Sequence, residues 1–160
     1  MAFITTFAET SLVLDTDVFT HWRNQRPYVL KAIADYQSNL KRPPALTSIT
    51  TFEALRGVER VVAKRGGSEV EAEGFRARIE ALSELCGVLS FDRKAASIAA
   101  YLCAHLGDNL FKKHWRDIFT AATAITHEHG VATGNRSDYE LIGNALSPKH
   151  PPLRLAIWKP

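Results

Sequence analysis

The chain has 160 residues, of which 46% are hydrophobic and 23% are charged, as is ordinary for a single globular domain. Its net charge of +3 permits a polyanionic partner but does not require one. A signal peptide is not expected, because the N-terminus has no basic region followed by a long apolar run. A membrane-spanning helix is not expected either, because no run approaches about 18 apolar residues, so the cytoplasm is the expected location.

The first half of the chain alternates short apolar runs with longer amphipathic segments. Residues 1–10 form a lead-in whose structure the sequence does not predict. Strands are predicted over residues 11–15 and 45–49, each followed by helices. The helical apolar positions are Val29, Ile33, Tyr36 and Leu40, then Phe52, Leu55, Val58 and Val62, and then Phe75, Ile79, Leu82 and Leu85. Gly66 and Gly67 are predicted to end the second of these helices, and Ser68 to begin the third.

The second half repeats this alternation. Strands are predicted over 87–90, 131–133 and 153–158, and helices over 95–106, 117–129 and 138–146, with Gly130 capping the second of these helices. Strands that alternate with helices favour a parallel sheet covered on both faces. We therefore predict one domain over residues 1–160, a three-layer α/β/α fold with a central, mostly parallel sheet of about five strands.

Four acidic residues stand beside the predicted strands. Asp15, Glu53 and Asp138 follow strands, and Asp117 opens the helix that precedes residues 131–133. Because the carboxyl ends of parallel strands share one edge of a sheet, we expect these carboxylates to converge. Each also has a structural alternative, as a helix cap for Asp15 and Asp138 and as a partner of the helix dipole for the other two.

Clustered carboxylate oxygens are typical ligands of Mg²⁺ or Mn²⁺. Such ions, together with water, act on phosphodiesters by activating a nucleophile and neutralising charge. Asp17 is fully explained as a helix cap, so a metal role for it is open. The histidines do not form a ligand set, and His105 and His114 are interpreted as surface or helix-end residues.

Four segments in this order resemble the PIN domain, and more narrowly the VapC-type toxins of bacterial toxin–antitoxin pairs. They are residues 13–18 (VLDTDV), 47–57 (TSITTFEALRG), 117–124 (DIFTAATA) and 133–140 (TGNRSDYE), and the resemblance extends from about residue 11 to 157. It implies a metal-dependent endoribonuclease with Mg²⁺ or Mn²⁺ as cofactor. The residues that match the family's acidic, metal-binding quartet are Asp15, Glu53, Asp117 and Asp138.

The same resemblance implies supporting residues and partners. Thr133 and Asn135 match supporting positions near the site, whereas Asp17 stands where the family more often has Asn or Ser. The implied partners are an RNA substrate, a small antitoxin that inserts a segment near the acids, and a second copy of the chain in a homodimer. Basic residues that could guide RNA are Arg93, Lys94, Arg116 and Arg136.

Two other interpretations remain open on the sequence alone. Asp15 and Asp17 after a buried strand also resemble the nucleophile loop of haloacid-dehalogenase-like phosphatases, for which Asp108 is the nearest late acid. That interpretation leaves Glu53 and Asp138 unexplained. The third interpretation is a non-catalytic PIN module that binds RNA or protein, although an incomplete acidic set would be expected of it.

Overall fold

The computed structural model describes residues 2–4, 10–65 and 68–160. Its strands are β1 (Ala2–Ile4), β2 (Leu12–Leu14), β3 (Leu46–Thr47), β4 (Val88–Leu89), β5 (Gly130–Thr133) and β6 (Leu153–Ile157). Its helices are α1 (Thr16–Arg23), α2 (Pro27–Leu40), α3 (Ser48–Arg65), α4 (Glu69–Cys86), α5 (Arg93–Leu106), α6 (Asp108–Thr126) and α7 (Arg136–Asn144). The predicted helix end at Gly66 and Gly67 lies outside the described residues, whereas Ser68 caps α4 as predicted.

The strands form a parallel sheet in the order β1-β6-β5-β2, and β3 and β4 form a second parallel pair. A single bridge between Val13 and Ala45 joins the two sets, with the Leu14 amide donating to the Ala45 carbonyl at 2.9 Å. Every pairing among the described strands is parallel, so their carboxyl ends lie along one edge. This edge is where the candidate site forms.

Alternate residues of each central strand point to opposite faces of the sheet, and each face is covered by helices. Val13, Val131 and Leu155 pack with buried residues of α5, α6 and α7. Leu14, Ala132 and other residues of the opposite face pack with α1, α2, α3 and α4. The predicted three-layer α/β/α fold is therefore confirmed.

The structure corrects several predicted elements of the first half. Residues 2–4 of the lead-in form an edge strand that pairs with β6. Helix α3 begins at Ser48, inside the segment 45–49 that is predicted as a strand. Its predicted core residues Phe52 and Leu55 are 48% and 36% exposed, and in α4 both Phe75 and Leu85 are exposed as well. The helical period identifies an apolar face correctly, but this chain does not cover all of that face.

Two corrections in the second half bear on the site. Helix α6 begins at Asp108, before the predicted start at Asp117, but its helical dihedrals are interrupted at His114, so Asp117 lies in the first turn after the interruption. Gly130 is the first residue of β5 rather than a helix cap, and the turn before it is made by Glu128 with φ of 59°.

Gly130 is required by close packing between strands. A β-carbon at this position would lie 2.9 Å from the Arg154 carbonyl oxygen and 3.0 Å from the Leu12 side chain. We expect Gly130→Ala to lower the free energy of unfolding by about 1–3 kcal/mol in chemical denaturation, as overpacking does. The matched control is Gly57→Ala, which meets no atom within 4 Å on exposed α3 and should stabilise the fold by about 0.5–1 kcal/mol. Equal shifts for the two variants would contradict this account.

None of the described helices combines the length and the apolar character needed to cross a bilayer. Cys86 and Cys103 are free thiols of intermediate burial, and burial raises the pKa of Cys86 to about 12. Both thiols are therefore protonated near neutral pH.

Candidate metal centre

Asp15 occupies the carboxyl end of the central strand β2 and is only 6% exposed. Its Oδ1 accepts a hydrogen bond from the Thr16 amide at 2.7 Å, which makes Asp15 itself the cap of α1. Its Oδ2 accepts one from the Thr133 hydroxyl at 2.8 Å, at the end of β5. The interpretation of Asp17 as the cap of this helix is therefore wrong, and capping uses only one of the two Asp15 carboxylate oxygens.

Glu53 lies in the second turn of α3, beyond the first-turn positions at which a carboxylate interacts favourably with the helix dipole. Its carboxylate accepts hydrogen bonds from the Thr16 hydroxyl at 2.5 Å and from Arg116 Nε at 2.7 Å. The Arg116 ion pair crosses 63 residues of sequence, and it holds Glu53 over the same edge of the sheet as Asp15.

Asp117 and Asp138 face each other from α6 and α7. Asp138 lies in the first turn of α7, whose cap is Asn135, and it accepts a hydrogen bond from Asn135 Nδ2 at 2.5 Å. His114 Nδ1 lies 3.5 Å from Asp117 Oδ2 and 3.3 Å from Asp138 Oδ2. The dipole alternative for Asp117 stays open, because the helical dihedrals of α6 are interrupted at His114 and Asp117 lies in the first turn after this break.

The acids converge on one cleft of about 250 Å³ at the carboxyl edge of the sheet. Its lining comprises Asp15, Thr16, Asp17, Glu53, Lys113, His114, Arg116, Asp117, Asn135 and Asp138. Five carboxylates therefore face one lysine and one arginine side chain. Over the described part of the chain, no lysine or arginine forms an ion pair with Asp15, Asp117 or Asp138. The cleft carries negative charge that the protein itself does not neutralise.

This imbalance shifts the titration of two carboxyl groups. Burial, and then the charge of Asp117, raise the pKa of Asp15 to about 7, although hydrogen bonds from Thr133 and Thr16 oppose the shift. Burial, and then the charges of Asp138 and Glu53, raise the pKa of Asp117 to about 6. Both groups thus hold a proton far more readily than an ordinary aspartate does.

The donor set fits a divalent cation. Carboxylate oxygens are the ligands that Mg²⁺ and Mn²⁺ prefer, and a cation would relieve the repulsion that raises both pKa values. The residues available to hold one are Asp15, Glu53, Asp117 and Asp138. Asp17 lines the cleft but is exposed, and Thr133 and Asn135 support Asp15 and Asp138 by hydrogen bonds.

The four basic residues predicted to guide RNA do not gather at the cleft. Arg93 and Lys94 are exposed at the start of α5, outside the cleft lining. Arg136 pairs with Glu140 at 2.7 Å. Arg116 does line the cleft, where it pairs with Glu53 and stacks 5.4 Å from the centre of the Trp115 ring.

Sequence reasoning missed two residues near the acids. His114 is buried in the cleft rather than at the surface, because α6 starts earlier than predicted. The Nδ1 atom of His114 faces Asp117 and Asp138. Tyr139 is fully buried, and burial, followed by the charge of Asp15, raises the pKa of its hydroxyl. The position of Tyr139 directly after Asp138 could have indicated that it lies near the site, whereas no neighbouring residue in the sequence indicated this for His114.

An apolar groove of about 270 Å³ adjoins the cleft and shares Thr16 and Glu53 with it. Helices α1, α3 and α4 form its walls. Val58, Val62 and Ala72 line it, together with the more exposed Val61 and Phe75.

The chain is similar to known proteins over most of its length. A family model described as the PIN domain matches residues 12–140. VapBC2 from Rickettsia felis, bound to a promoter DNA fragment, has a TM-score of 0.66 at 18% identity, covering 92% of this chain and 98% of that chain. DNA-bound VapBC from Salmonella typhimurium has a TM-score of 0.65 at 21% identity, covering 94% of this chain and 100% of that chain. VapBC-1 from nontypeable Haemophilus influenzae has a TM-score of 0.65 at 21% identity, covering 92% of this chain and 97% of that chain. No curated protein sequence matches the chain significantly.

Proposed function

The chain belongs to the PIN domain family, and from that premise we propose that it is a nuclease, specifically a Mg²⁺- or Mn²⁺-dependent endoribonuclease and the toxin of a toxin–antitoxin pair. The observation that carries this proposal is the charge imbalance of the cleft. Asp15 and Asp117 have pKa values raised to about 7 and about 6 by burial and by neighbouring acids. A site built this way favours a divalent cation and, through it, a polyanionic substrate.

Each acidic residue has a proposed part in the site. Asp15, Glu53, Asp117 and Asp138 would hold the cation. A bound divalent cation would supply Lewis acidity and charge neutralisation for hydrolysis of the phosphodiester. Thr133 orients the Asp15 carboxylate through its 2.8 Å hydrogen bond. Arg116, which pairs with Glu53 at 2.7 Å, would be available to the substrate phosphates if Glu53 held a cation instead.

The RNA substrate is supported by charge and by position. The net charge is +3, and Lys113 and Arg116 lie at the rim of an otherwise acidic cleft. Cationic side chains there would bind the backbone phosphates that flank the scissile bond. Arg93, Lys94 and Arg136 stay candidates for more distant contacts along the strand.

The phosphatase alternative is not favoured, because the chain belongs to another family and Asp108 does not line the cleft. The non-catalytic alternative requires a defective acidic set. All four carboxylates lie around the cleft, so catalysis is the better proposal.

The proposed partner is an antitoxin acting in the cytoplasm. The apolar groove leads directly to the cleft, and Val61 and Phe75 are about half exposed on it. An antitoxin segment with apolar side chains would cover these residues, and a basic side chain at its end would reach the acids. The homodimer is proposed from the resemblance alone.

The test is cleavage of a total RNA pool by the purified chain with Mg²⁺, with Mn²⁺ or with a chelator. We expect discrete, metal-dependent products, and a loss of about 100-fold or more in rate for Asp117→Asn. The matched control is Asp35→Asn, an exposed acid on α2 outside the cleft, which should cleave like the wild type. A folded, metal-bound wild type that leaves RNA intact, free of co-purified inhibitor, would exclude the proposal.

A further inference from the structure

His114 is the one histidine that lines the acidic cleft in the described structure. Its side chain is only 4% exposed, yet it lies beside two carboxylates rather than in an apolar core. The contacts of Nδ1 with Asp117 Oδ2 and Asp138 Oδ2, at 3.5 and 3.3 Å, are longer than ordinary N–H···O hydrogen bonds. The ring nitrogen therefore faces the two oxygens without forming a close hydrogen bond to either.

Backbone geometry brings His114 to this position. The regular helical dihedrals of α6 are interrupted at His114, where φ is −118° and ψ is 15°. Asp117 follows three residues later, in the first turn after this interruption, and its Oδ2 lies 3.5 Å from His114 Nδ1. The third member, Asp138, comes from α7, which packs against α6.

The spacing of the three donor atoms matches that of ligands around one ion. His114 Nδ1 and one oxygen each of Asp117 and Asp138 all lie within 4.8 Å of one another. Neighbouring ligands at about 2.0–2.2 Å from a common ion in octahedral coordination are about 2.8–3.1 Å apart. The two nitrogen–oxygen distances, 3.5 and 3.3 Å, are a few tenths of an ångström longer, so small side-chain shifts would bring the donors to bonding distance.

We propose that His114 Nδ1 is a ligand of the metal centre, together with Asp117 and Asp138, and that it sets the preference of the site for Mn²⁺ over Mg²⁺. This inference rests on the proposed metal-dependent function, which it deepens. Imidazole nitrogen is a good ligand for first-row transition ions, whereas Mg²⁺ strongly prefers oxygen. A site of carboxylates alone would discriminate less between the two ions.

The test combines calorimetry with pulsed electron paramagnetic resonance of bound Mn²⁺. Wild-type protein loaded with Mn²⁺ should show a directly coordinated ¹⁴N nucleus, and protein labelled with ¹⁵N-histidine should show the corresponding ¹⁵N coupling. His114→Gln should lose the nitrogen coupling and about tenfold or more in Mn²⁺ affinity, with Mg²⁺ affinity changed much less. His105→Gln, an exposed histidine on α5, is the matched control and should keep both properties.

The outcomes separate this inference from the nuclease proposal. RNA cleavage by wild-type protein whose bound Mn²⁺ shows no histidine nitrogen would overturn the assignment of His114 and leave the nuclease intact. Nitrogen coordination without any cleavage would support His114 as a ligand and remove the nuclease. Because the isotope experiment uses wild-type protein, a folding defect of His114→Gln does not prevent a decision.

Discussion

Asp15→Asn should abolish RNA cleavage and, at the same time, make the metal-free protein more stable at pH 8. The cleavage rate should fall by about 100- to 1,000-fold, because the buried carboxylate at the centre of the site is lost. Stability should rise because a charge that is 6% exposed and faces other acids is removed. A gain of about 1–3 kcal/mol corresponds to an increase in Tm of about 2–12 °C for a chain of this size.

Asparagine keeps the structural contacts of Asp15. Its amide oxygen can accept from the Thr16 amide and so preserve the cap of α1, and its NH₂ can donate to the Thr133 hydroxyl. The matched control is Asp92→Asn, since Asp92 caps α5 by accepting from the Ala95 amide but is fully exposed, and its pKa is lowered. This control should gain no stability. Thermal melts without metal check the prediction, and a less stable or still active Asp15→Asn would refute it.

The central strands and the acids at their ends could be predicted because their signals are local. Leu12–Leu14 and Gly130–Thr133 are short buried runs; Asp15 stands directly beyond the first run, and Asp138 stands in the first turn of the helix that follows the second. Parallel pairing then brings the acids together as a consequence of topology. The four acidic residues therefore converge as expected for a parallel α/β fold, and the periodicity of the apolar residues and the alternation of strands with helices predict that fold class.

The missed features depend on contacts between distant parts of the chain. The edge strand Ala2–Ile4 is defined only by its pairing with Leu153–Leu155. The exposed Phe52 shows that a helical period reveals an apolar face but not what covers it. His114 lies in a segment of mixed charge in which the start of α6 cannot be recognised from the sequence. Asp138, the acid that it contacts on α7, is 24 residues away in the sequence.

The metal-free protein should lose stability as the pH rises, and divalent metal should restore it. The folded-state pKa values of Asp15 and Asp117, about 7 and about 6, lie above the ordinary value near 4. Between these limits the folded state binds more protons than the unfolded state. The stabilisation from these protons is complete below about pH 4 and is lost as the pH rises through 6 and 7. Near pH 5–6 these two groups contribute a decline of about 2 kcal/mol per pH unit.

Metal acts in the opposite sense because it binds the ionised carboxylates. At pH 8 both groups are ionised, so metal at 100 times its dissociation constant should add about 2.7 kcal/mol to the free energy of unfolding. At pH 5 the same metal must displace protons from Asp15 and Asp117, and its stabilising effect should nearly vanish. Thermal melts between pH 5 and 8, with and without Mg²⁺ or Mn²⁺, measure both trends.

The variants link these trends to the cleft. Asp15→Asn should flatten the decline of the metal-free protein with pH, because one of the two titrating groups is gone. Asp35→Asn should melt like the wild type at every pH, since its carboxyl lies exposed on α2. A metal-induced rise in Tm that is equal at pH 5 and pH 8 would mean that the ion binds elsewhere. A rise confined to the higher pH, and reduced in Asp15→Asn, would locate the ion at the buried carboxylates.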